Sequence, residues 1–350
     1  MNNLDKQYQE LLQDIMDNGH RKEDRTGTGT ISVFGRQIRH KMSEGFPLLT
    51  TKKMAWKTMV TELLWFLRGD TDIRFLWENN CSIWDGDWEK HYKTTYGETY
   101  TLGEVKQMVK DGKHKFHDSI FDMGPIYGAQ WRKWKTENYK TFYNQYGYED
   151  EKRIYIDQIQ NLINDLKTNP DSRRLMVTAW NPADLEDSVL PPCHYGFQVY
   201  TRELSSQERK DLYDKTDCSK DIFPTDENGW NKLFNDYNIP NRAISLMWSQ
   251  RSIDTALGLP MNIASYGLLL TILAKEVNMV PEELIGNLGD CHIYLNQIDG
   301  VKEQLDREPF PLPNVKLLDK VVNDLSEYTY QDFILENYQS HPKIYFPLSN

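Results

Sequence analysis

Cysteine is scarce in this sequence, and its scarcity excludes two classes of protein. The 350 residues include four cysteines, Cys81, Cys193, Cys218 and Cys291, and no two of them form a C-x-x-C pair. Thiols so few and so scattered provide neither a disulfide framework nor a thiolate zinc site. We therefore expect a protein of a reducing compartment, with no metal in its functional site.

Long apolar runs and an excess of positive charge are also missing. No stretch approaches the roughly 18 apolar residues of a membrane-spanning helix, and residues 1–19 lack the basic leader and apolar core of a signal peptide. Lys and Arg number 41 against 52 Asp and Glu, a net charge of −11, which offers no general attraction to nucleic acid or anionic membranes. We expect a cytoplasmic protein with no membrane partner and no dominant nucleic-acid binding.

Apolar residues are plentiful enough for a large core, at 39% of the chain with 10 Trp, 20 Tyr and 13 Phe. Helical spacing predicts helices over residues 4–16, 56–67, 154–166 and 263–277. Alternation predicts strands over 31–42, with a bend at Gly35, and over 175–180, 193–200 and 243–248. These elements do not follow a regular β-α-β rhythm. We therefore predict an α/β (α+β) fold, a large mixed sheet with helices on one face.

Two segments look inserted into what we expect to be a single domain, residues 1–350. Residues 89–121 are rich in Lys, His and Tyr with weak periodicity, and a helix is expected near residues 102–109. Residues 205–241 are polar and mostly acidic. We expect both insertions to lie outside the main core as surface excursions.

Cys193 is the candidate nucleophile, although a small buried cysteine is the simpler interpretation. It lies within residues 191–200, at the start of the alternating strand expected over residues 193–200. Its neighbour His194 is a poor partner, because adjacent side chains on a strand point to opposite faces. If Cys193 reacts, a nearby cation must favour its thiolate.

Arginines in three contexts are candidate cations: Arg25 in a Gly-Thr loop, the pair Arg173 and Arg174 before an apolar strand, and Arg251 followed by Ser252. Each alone is compatible with a structural or solvated arginine. Several that converge with a serine would form a phosphate clamp, because the planar guanidinium matches phosphate oxygens. Spacing alone does not decide between these interpretations.

Four polar residues elsewhere have both a structural and a functional interpretation. Glu62 lies in an apolar helix and is either part of an ion pair or a general acid or base with a raised pKa. Asn262 either caps a helix or presents its amide to a heterocycle. His292 and Tyr294 share one strand face and either bind a sugar or pack.

Together these motifs resemble the folate-dependent thymidylate synthase family, nearly from end to end and outside the two insertions. The ordered motifs are DRTGTGT (24–30), GFPLLTTK (45–52), ELLWFL (62–67), GDT (69–71), ENN (78–80), IWD (83–85), GPIYG (124–128), DSRR (171–174), PCH (192–194), QRS (250–252), LGLP (257–260), NIASY (262–266) and GDCHIY (289–294). No single motif is specific, but the ordered set is.

The resemblance implies a reaction and a fold. Cys193 would add to carbon six of dUMP, because a pyrimidine is a poor carbon nucleophile until a thiolate saturates the neighbouring carbon. The resulting enolate would attack methylenetetrahydrofolate, and hydride from the same folate would leave dTMP and dihydrofolate, with no nicotinamide or metal. The implied fold is the family's large mixed sheet, whose outer face packs on its twin in a homodimer.

The resemblance also implies a role for each candidate residue. The catalytic set would be Cys193, Glu62, Tyr127, Arg251, Asn262 and Asp254. The residues implied to bind dUMP are Arg25, Arg251 and Ser252 at the phosphate, Arg173 and Arg174 of a partner subunit also at the phosphate, Asn262 at the uracil, and His292 and Tyr294 at the deoxyribose. The folate side would be lined by Trp84, Asp254, Lys52 and Glu62.

Two rival functions stand beside this one. In the related pyrimidine hydroxymethylases, water rather than hydride captures the methylene intermediate. Relatives that act on cytosine carry aspartate at the position of Asn262, so the asparagine disfavours dCMP as a substrate. The alternative function is therefore a dUMP hydroxymethylase. The tail, residues 344–350, differs from the small apolar ending that closes over folate in synthases, and Tyr195 and Gly196 also differ. A non-catalytic nucleotide- or RNA-binding regulator is disfavoured by the presence of Cys193, Arg251 and Glu62 and by the negative charge.

Overall fold

The computed structural model describes residues 2–24, 26–97, 99–112, 116–143, 149–216 and 224–349. The helices are α1 (Asn3–Asn18), α2 (Trp56–Leu67), α3 (Arg74–Glu78), α4 (Asp85–Tyr96), α5 (Leu102–Lys110), α6 (Tyr127–Arg132), α7 (Gln158–Thr168), α8 (Ser206–Tyr213), α9 (Glu227–Asp236), α10 (Leu259–Glu276) and α11 (Ile298–Leu305). The strands are β1 (His20–Lys22), β2 (Thr30–Lys41), β3 (Trp134–Tyr143), β4 (Glu149–Ile156), β5 (Met176–Thr178), β6 (His194–Glu203), β7 (Arg242–Asp254), β8 (Val280–Tyr294), β9 (Asn314–Leu317) and β10 (Phe333–Glu336). Short 3₁₀ helices lie at Met42–Glu44, Asp118–Ile120, Leu295–Gln297, Leu325–Glu327 and Tyr330–Asp332.

A six-stranded sheet in the order β1-β2-β8-β7-β6-β5 organises the chain. Strands β7 and β8 run parallel, whereas the other neighbouring pairs are antiparallel. The parallel pair needs a long crossover, which α10 provides. The mixed sheet predicted from the irregular element order is therefore confirmed.

The helices cover one face of this sheet, with α2 and α10 at the centre of the core. Leu268, Leu269 and Leu270 of α10 are fully buried in consecutive positions, as expected for a helix that is surrounded on every side. The opposite face presents large side chains to solvent, among them Met176 and Tyr200, which are 59% and 67% exposed. A sheet with one covered and one open face results.

The bend expected at Gly35 is a local feature inside one continuous strand. Gly35 has φ +73°, a conformation that side chains other than glycine rarely adopt. The pairing of β2 with β8 continues in the same register on both sides, with Phe34 opposite Asp290 and Arg36 opposite Leu288. Glycine therefore permits the distortion without a shift of the strand.

The helix predicted over residues 154–166 begins later, at Gln158, because residues 154–156 end β4. Asp157 sets the boundary, since its side chain accepts the backbone N–H of Gln160 and so caps α7. The β3–β4 hairpin was not predicted, because neither strand alternates apolar with polar residues and β4 opens with five charged residues in a row. In the described part of the chain, no helix is long and apolar enough to cross a membrane.

The two insertions pack differently from each other. In residues 89–121 the expected helix is present as α5, but Tyr92, Val105 and Phe121 are buried in the main core, so this segment is only partly a surface excursion. Its elements are short, and each supplies a few core residues, which hides the periodicity in the sequence. The segment 205–241 instead has a small hydrophobic cluster of its own, formed by Tyr213, Leu233, Phe234 and Ile239.

Candidate active site

Cys193 lies at the start of β6, where hydrogen bonds fix its backbone on both sides. Its N–H donates to the Tyr127 hydroxyl oxygen at 2.8 Å, and its carbonyl accepts the backbone N–H of Arg251 at 2.8 Å. The β6–β7 register shifts between His194 and Gly196, and such irregularities next to a site change the direction of a side chain. These hydrogen bonds therefore fix Cys193, which is partly exposed, at the end of an internal strand of the sheet.

Arg251 binds the chain that leads into Cys193. Its Nε donates to the Pro192 carbonyl at 2.9 Å and its Nη2 to the Pro191 carbonyl at 3.0 Å. The guanidinium lies 5.5 Å from the ring of Trp180 and is otherwise exposed. Because guanidinium has five N–H donors, these bonds leave some free to bind an anion.

The neighbour of the cysteine, His194, belongs to an aromatic group and not to a Cys–His dyad. Its ring stacks on Tyr127 with centroids 4.0 Å apart, and its Nδ1 lies 2.8 Å from the Tyr266 hydroxyl. Burial lowers the pKa of His194 to about 3, so the imidazole is neutral. Burial, and next the charge of Cys193, raise the pKa of Tyr127 well above its ordinary value. These residues hold Tyr127 against Cys193.

Glu62 pairs with an indole and not with a cation. Trp84 Nε1 donates to Glu62 Oε1 at 2.7 Å, and within the described residues no ion pair reaches Glu62. Burial raises the pKa of Glu62 to about 7, and the Trp84 hydrogen bond opposes this rise. The ion-pair interpretation is therefore wrong. A carboxyl group that titrates near neutrality can take up or release a proton.

Asn262 lies inside α10 and does not cap it. The residue at the N-cap is Gly258, and no side chain caps this helix. Gln250 Nε2 donates to Asn262 Oδ1 at 3.1 Å, and the Trp248 indole donates to Gln250 Oε1 at 3.3 Å. The capping interpretation is wrong, and the amide of Asn262 is oriented by a neighbouring strand.

Asp254 ends β7 and lies opposite His292 of β8. Its Oδ1 accepts the N–H of Leu257 at 2.9 Å, and its Oδ2 accepts Gln297 Nε2 at 3.0 Å. Burial raises the pKa of Asp254, and these hydrogen bonds oppose the rise. The sheet register thus brings Asp254 beside His292, whose ring lies 5.2 Å from that of Tyr294.

Lys52 joins this group to the C-terminal tail. It is 5% exposed, its ammonium donates to the Ala256 carbonyl, and burial lowers its pKa to about 7, although Asp254 opposes this change. The ring of Phe346 covers the ammonium at 4.4 Å. At the end of the tail, the Thr28 hydroxyl donates to Ser349 Oγ at 3.2 Å. The tail is therefore packed against the loop that contains Thr28.

The remaining phosphate candidates are not gathered around this cysteine. Arg173 and Arg174 are exposed, and their side chains make no hydrogen bond or ion pair with the described residues. Ser252 lies on β7 next to Arg251, opposite Asp290. Arg25 lies outside the described residues. The structure thus brings together Cys193, Tyr127 and Arg251, and leaves the arginine pair on the surface.

Sequence reasoning gave no role to three residues that orient the site, His194, Gln250 and Gln297. His194 and Gln250 lie within the quoted motifs, so their place beside Cys193 and Arg251 was a usable signal. Gln297 is 1% exposed, yet nothing in the local sequence marks it. Among the described residues, no group of three or more His, Cys, Asp or Glu side chains is arranged to hold a metal ion.

Comparison with known proteins gave two findings. A family model described as thymidylate synthase matches residues 6–350. A curated protein of Mesoplasma florum, named thymidylate synthase, is 40% identical over 342 residues, which cover 97% of this chain and 98% of the relative. The family model covers every candidate residue discussed above.

Proposed function

Because this chain belongs to the thymidylate synthase family, we propose that it converts dUMP to dTMP by reductive methylation, with methylenetetrahydrofolate as co-substrate and dihydrofolate as second product. It is thus a one-carbon methyltransferase. The observation that carries the proposal is the setting of Cys193, whose backbone is held by Tyr127 on one side and by Arg251 on the other.

Cys193 is the proposed nucleophile. Its sulfur forms a bond to carbon six of the pyrimidine, and the electron pair of the double bond moves towards carbon five and the adjacent carbonyl. Arg251, bound to the two carbonyls that precede Cys193, brings positive charge to this segment and so favours the thiolate. The same guanidinium, with Ser252 beside it, binds the phosphate through its remaining donors.

Proton movement is assigned to Glu62 and Tyr127. With a pKa of about 7, Glu62 exchanges a proton with the pyrimidine carbonyl through water and so supports the enolate. Tyr127, held at Cys193, assists removal of the proton from carbon five. Once the hydride supplied by the folate has reached the transferred carbon, the electron pair would return to the bond between carbons five and six, which breaks the carbon–sulfur bond and restores the thiolate of Cys193. Asn262, its amide oriented by Gln250, reads the uracil edge.

The folate side is assigned to Trp84, Glu62, Asp254 and Lys52. When bound, the folate supplies the one-carbon unit and the hydride. The residues fit a polar heterocycle, because they place a carboxyl, an indole and an ammonium in buried surroundings. His292 and Tyr294, next to Asp254, are assigned to the deoxyribose hydroxyl.

Arg173 and Arg174 lie far from Cys193 of their own chain, and in a homodimer they reach the site of the partner subunit. Pairing of β5 with β6 sets Met176 opposite Gln198, so Arg174 lies near the level of Tyr200. Tyr200 is about seven residues from Cys193 along β6, so Arg174 lies about 23 Å from Cys193 at the usual rise of a strand. The exposed sheet face, with Met176 and Tyr200, is the surface on which a second copy packs.

Product identification tests the proposal and separates it from the hydroxymethylase alternative. Purified protein is incubated with dUMP and methylenetetrahydrofolate, with the Cys193→Ala variant as control. We expect dTMP and dihydrofolate from the native chain and neither from the variant. Hydroxymethyl-dUMP with tetrahydrofolate would overturn the proposal. The comparisons do not favour that outcome, because the matching family model and the 40% identical relative are both described as thymidylate synthase.

A further inference from the structure

Two side chains hold the carboxylate of Asp85, and one of them comes from the first insertion. Trp77 Nε1 donates to Asp85 Oδ1 at 3.0 Å. Lys106, in α5, donates from its ammonium to the other oxygen, Oδ2, at 2.5 Å. The ammonium also lies 5.3 Å from the ring of Trp77. The three side chains therefore form one compact group.

The helix that carries Lys106 is well fixed at this point. Thr101 and Glu104 form a capping box at the start of α5, and Val105, next to Lys106, is fully buried in the main core. The ion pair is only partly open to solvent, with side-chain exposures of 30% for Lys106 and 18% for Asp85. The Trp77 hydrogen bond and the buried Val105 fix the geometry of this ion pair, which is the condition under which a partly exposed pair contributes.

Asp85 is the residue after Trp84, where α4 begins. Trp84 occupies the N-cap of that helix, and its indole donates to Glu62 at 2.7 Å. The Asp85–Lys106 ion pair is also near Glu62, because the charges of all three act on one neighbouring group, Cys81. Burial raises the pKa of Cys81 to about 12, the charges of Glu62 and Asp85 add to the rise, and Lys106 opposes it. The charges of Glu62, Asp85 and Lys106 thus all act on the Cys81 thiol.

We propose that Lys106 is a positioning residue for the folate side of the site. By binding Asp85 it fixes the start of α4, which holds Trp84 in the orientation that donates a hydrogen bond to Glu62. The inference rests on the proposed function, since Trp84 and Glu62 act there on the folate and the pyrimidine. Lys106 thus gives the first insertion, residues 89–121, a role in the proposed reaction.

The test compares Lys106→Met with Lys106→Arg, in the full-length chain. Misplacement of a group by about 1 Å can cost up to 100-fold in rate, so we expect Lys106→Met to lower kcat/KM for methylenetetrahydrofolate about ten-fold or more. Binding of dUMP, measured by calorimetry without folate, should stay within about two-fold of the native value, because the Cys193 side is untouched. Lys106→Arg keeps the charge and should recover most of the loss.

Lys110→Met is the matched control, since Lys110 is an exposed lysine one turn further along α5. Its kinetics should equal those of the native chain. Asp85→Asn removes the same ion pair from the other side, and the double variant Asp85→Asn/Lys106→Met should lose no more than the worse single variant.

Three results would overturn the inference: native folate kinetics for Lys106→Met, an equal loss of dUMP and folate binding, or no rescue by Lys106→Arg. Failure of the proposed function is distinguishable from these results, because the native chain itself would then form no dTMP.

Discussion

The proposed nucleotide side and the proposed folate side of this site are built on different principles. On the nucleotide side, backbone hydrogen bonds and aromatic packing hold Cys193, and burial lowers the pKa of His194 to about 3. On the folate side, buried titratable groups have pKa values moved towards neutrality, to about 7 for both Glu62 and Lys52. Apart from the thiolate state of Cys193, the nucleotide side depends on geometry, whereas the folate side also depends on buried groups that titrate near neutrality.

This difference predicts distinct responses to change. Loss of a group on the nucleotide side removes a step of the reaction outright. Loss of a group on the folate side lowers the rate of a step without removing it. It also changes the pH dependence of the rate and the free energy of unfolding, because a buried ionisable group destabilises the folded state. Four experiments test the comparison.

Cys193→Ala should have the largest effect. Without sulfur no bond to carbon six forms, so turnover should fall to the limit of detection while dUMP binding persists. Product assays and calorimetry measure the two quantities. Cys291→Ala is the control, since Cys291 is buried in β8 and has no proposed part in the reaction. Residual turnover by Cys193→Ala would contradict a covalent mechanism.

The arginine pair tests whether the nucleotide side is completed by a second copy. Loss of charge-assisted bonds to a phosphate should make Arg173→Ala/Arg174→Ala about 1000-fold less active. When this double variant is mixed and reassociated with the inactive Cys193→Ala variant, about a quarter of native activity should return. Half of the random dimers are then mixed, and each mixed dimer has one complete site, formed by the cysteine of one chain and the arginines of the other. A mixture that stays inactive, although mass analysis shows mixed dimers, would place the arginines in their own chain's site.

Glu62→Gln should separate activity from stability. Activity should fall about 100-fold or more, because the amide cannot exchange a proton, although it still accepts the Trp84 hydrogen bond. The folded-state pKa of Glu62, about 7, lies above its ordinary value of 4.5. The native fold therefore loses stability as pH rises through that window.

The glutamine variant lacks this loss, so at pH 8 it should be more stable than the native chain, by roughly 1–3 kcal/mol. The advantage should shrink at pH 5. Urea unfolding at the two pH values measures it. An advantage that does not change with pH would show that Glu62 is not the titrating group.

Much of the fold could be predicted from the sequence where one residue pattern dominates. Helix α2, Trp56–Leu67, matches its predicted bounds because it is apolar around nearly all its surface. The β3–β4 hairpin was missed because neither strand alternates apolar with polar residues in the sequence. Its second strand was also confused with α7, since only Asp157 marks the boundary between them.

The site could be predicted residue by residue, but not as an arrangement. Glu62 and Asn262 each left a structural alternative open. For Glu62 it was removed by a partner from another element, Trp84, and for Asn262 by the start of α10, which places Gly258 at the N-cap. Asp254 and His292 meet because β7 and β8 are parallel neighbours. Strand order and register are tertiary features, which local spacing in the sequence does not encode.

The smallest predicted effect concerns the tail and tests the folate side alone. Phe346 covers the Lys52 ammonium and packs onto α11 so closely that a Cβ at Gly300 would lie 2.7 Å from its ring. Phe346→Ala should therefore release the tail and let water reach Lys52, whose pKa would rise towards its ordinary value. We expect KM for methylenetetrahydrofolate to rise about ten-fold, with KM for dUMP nearly unchanged.

Tyr345→Ala is the matched control for this prediction, because Tyr345 is the preceding aromatic residue and is 78% exposed. It should have native kinetics, since it covers nothing in the site. If Phe346→Ala instead raised KM for dUMP as much as KM for folate, the tail would serve both substrates. The separation between a rigid nucleotide side and a titratable folate side would then not extend to the C-terminal segment.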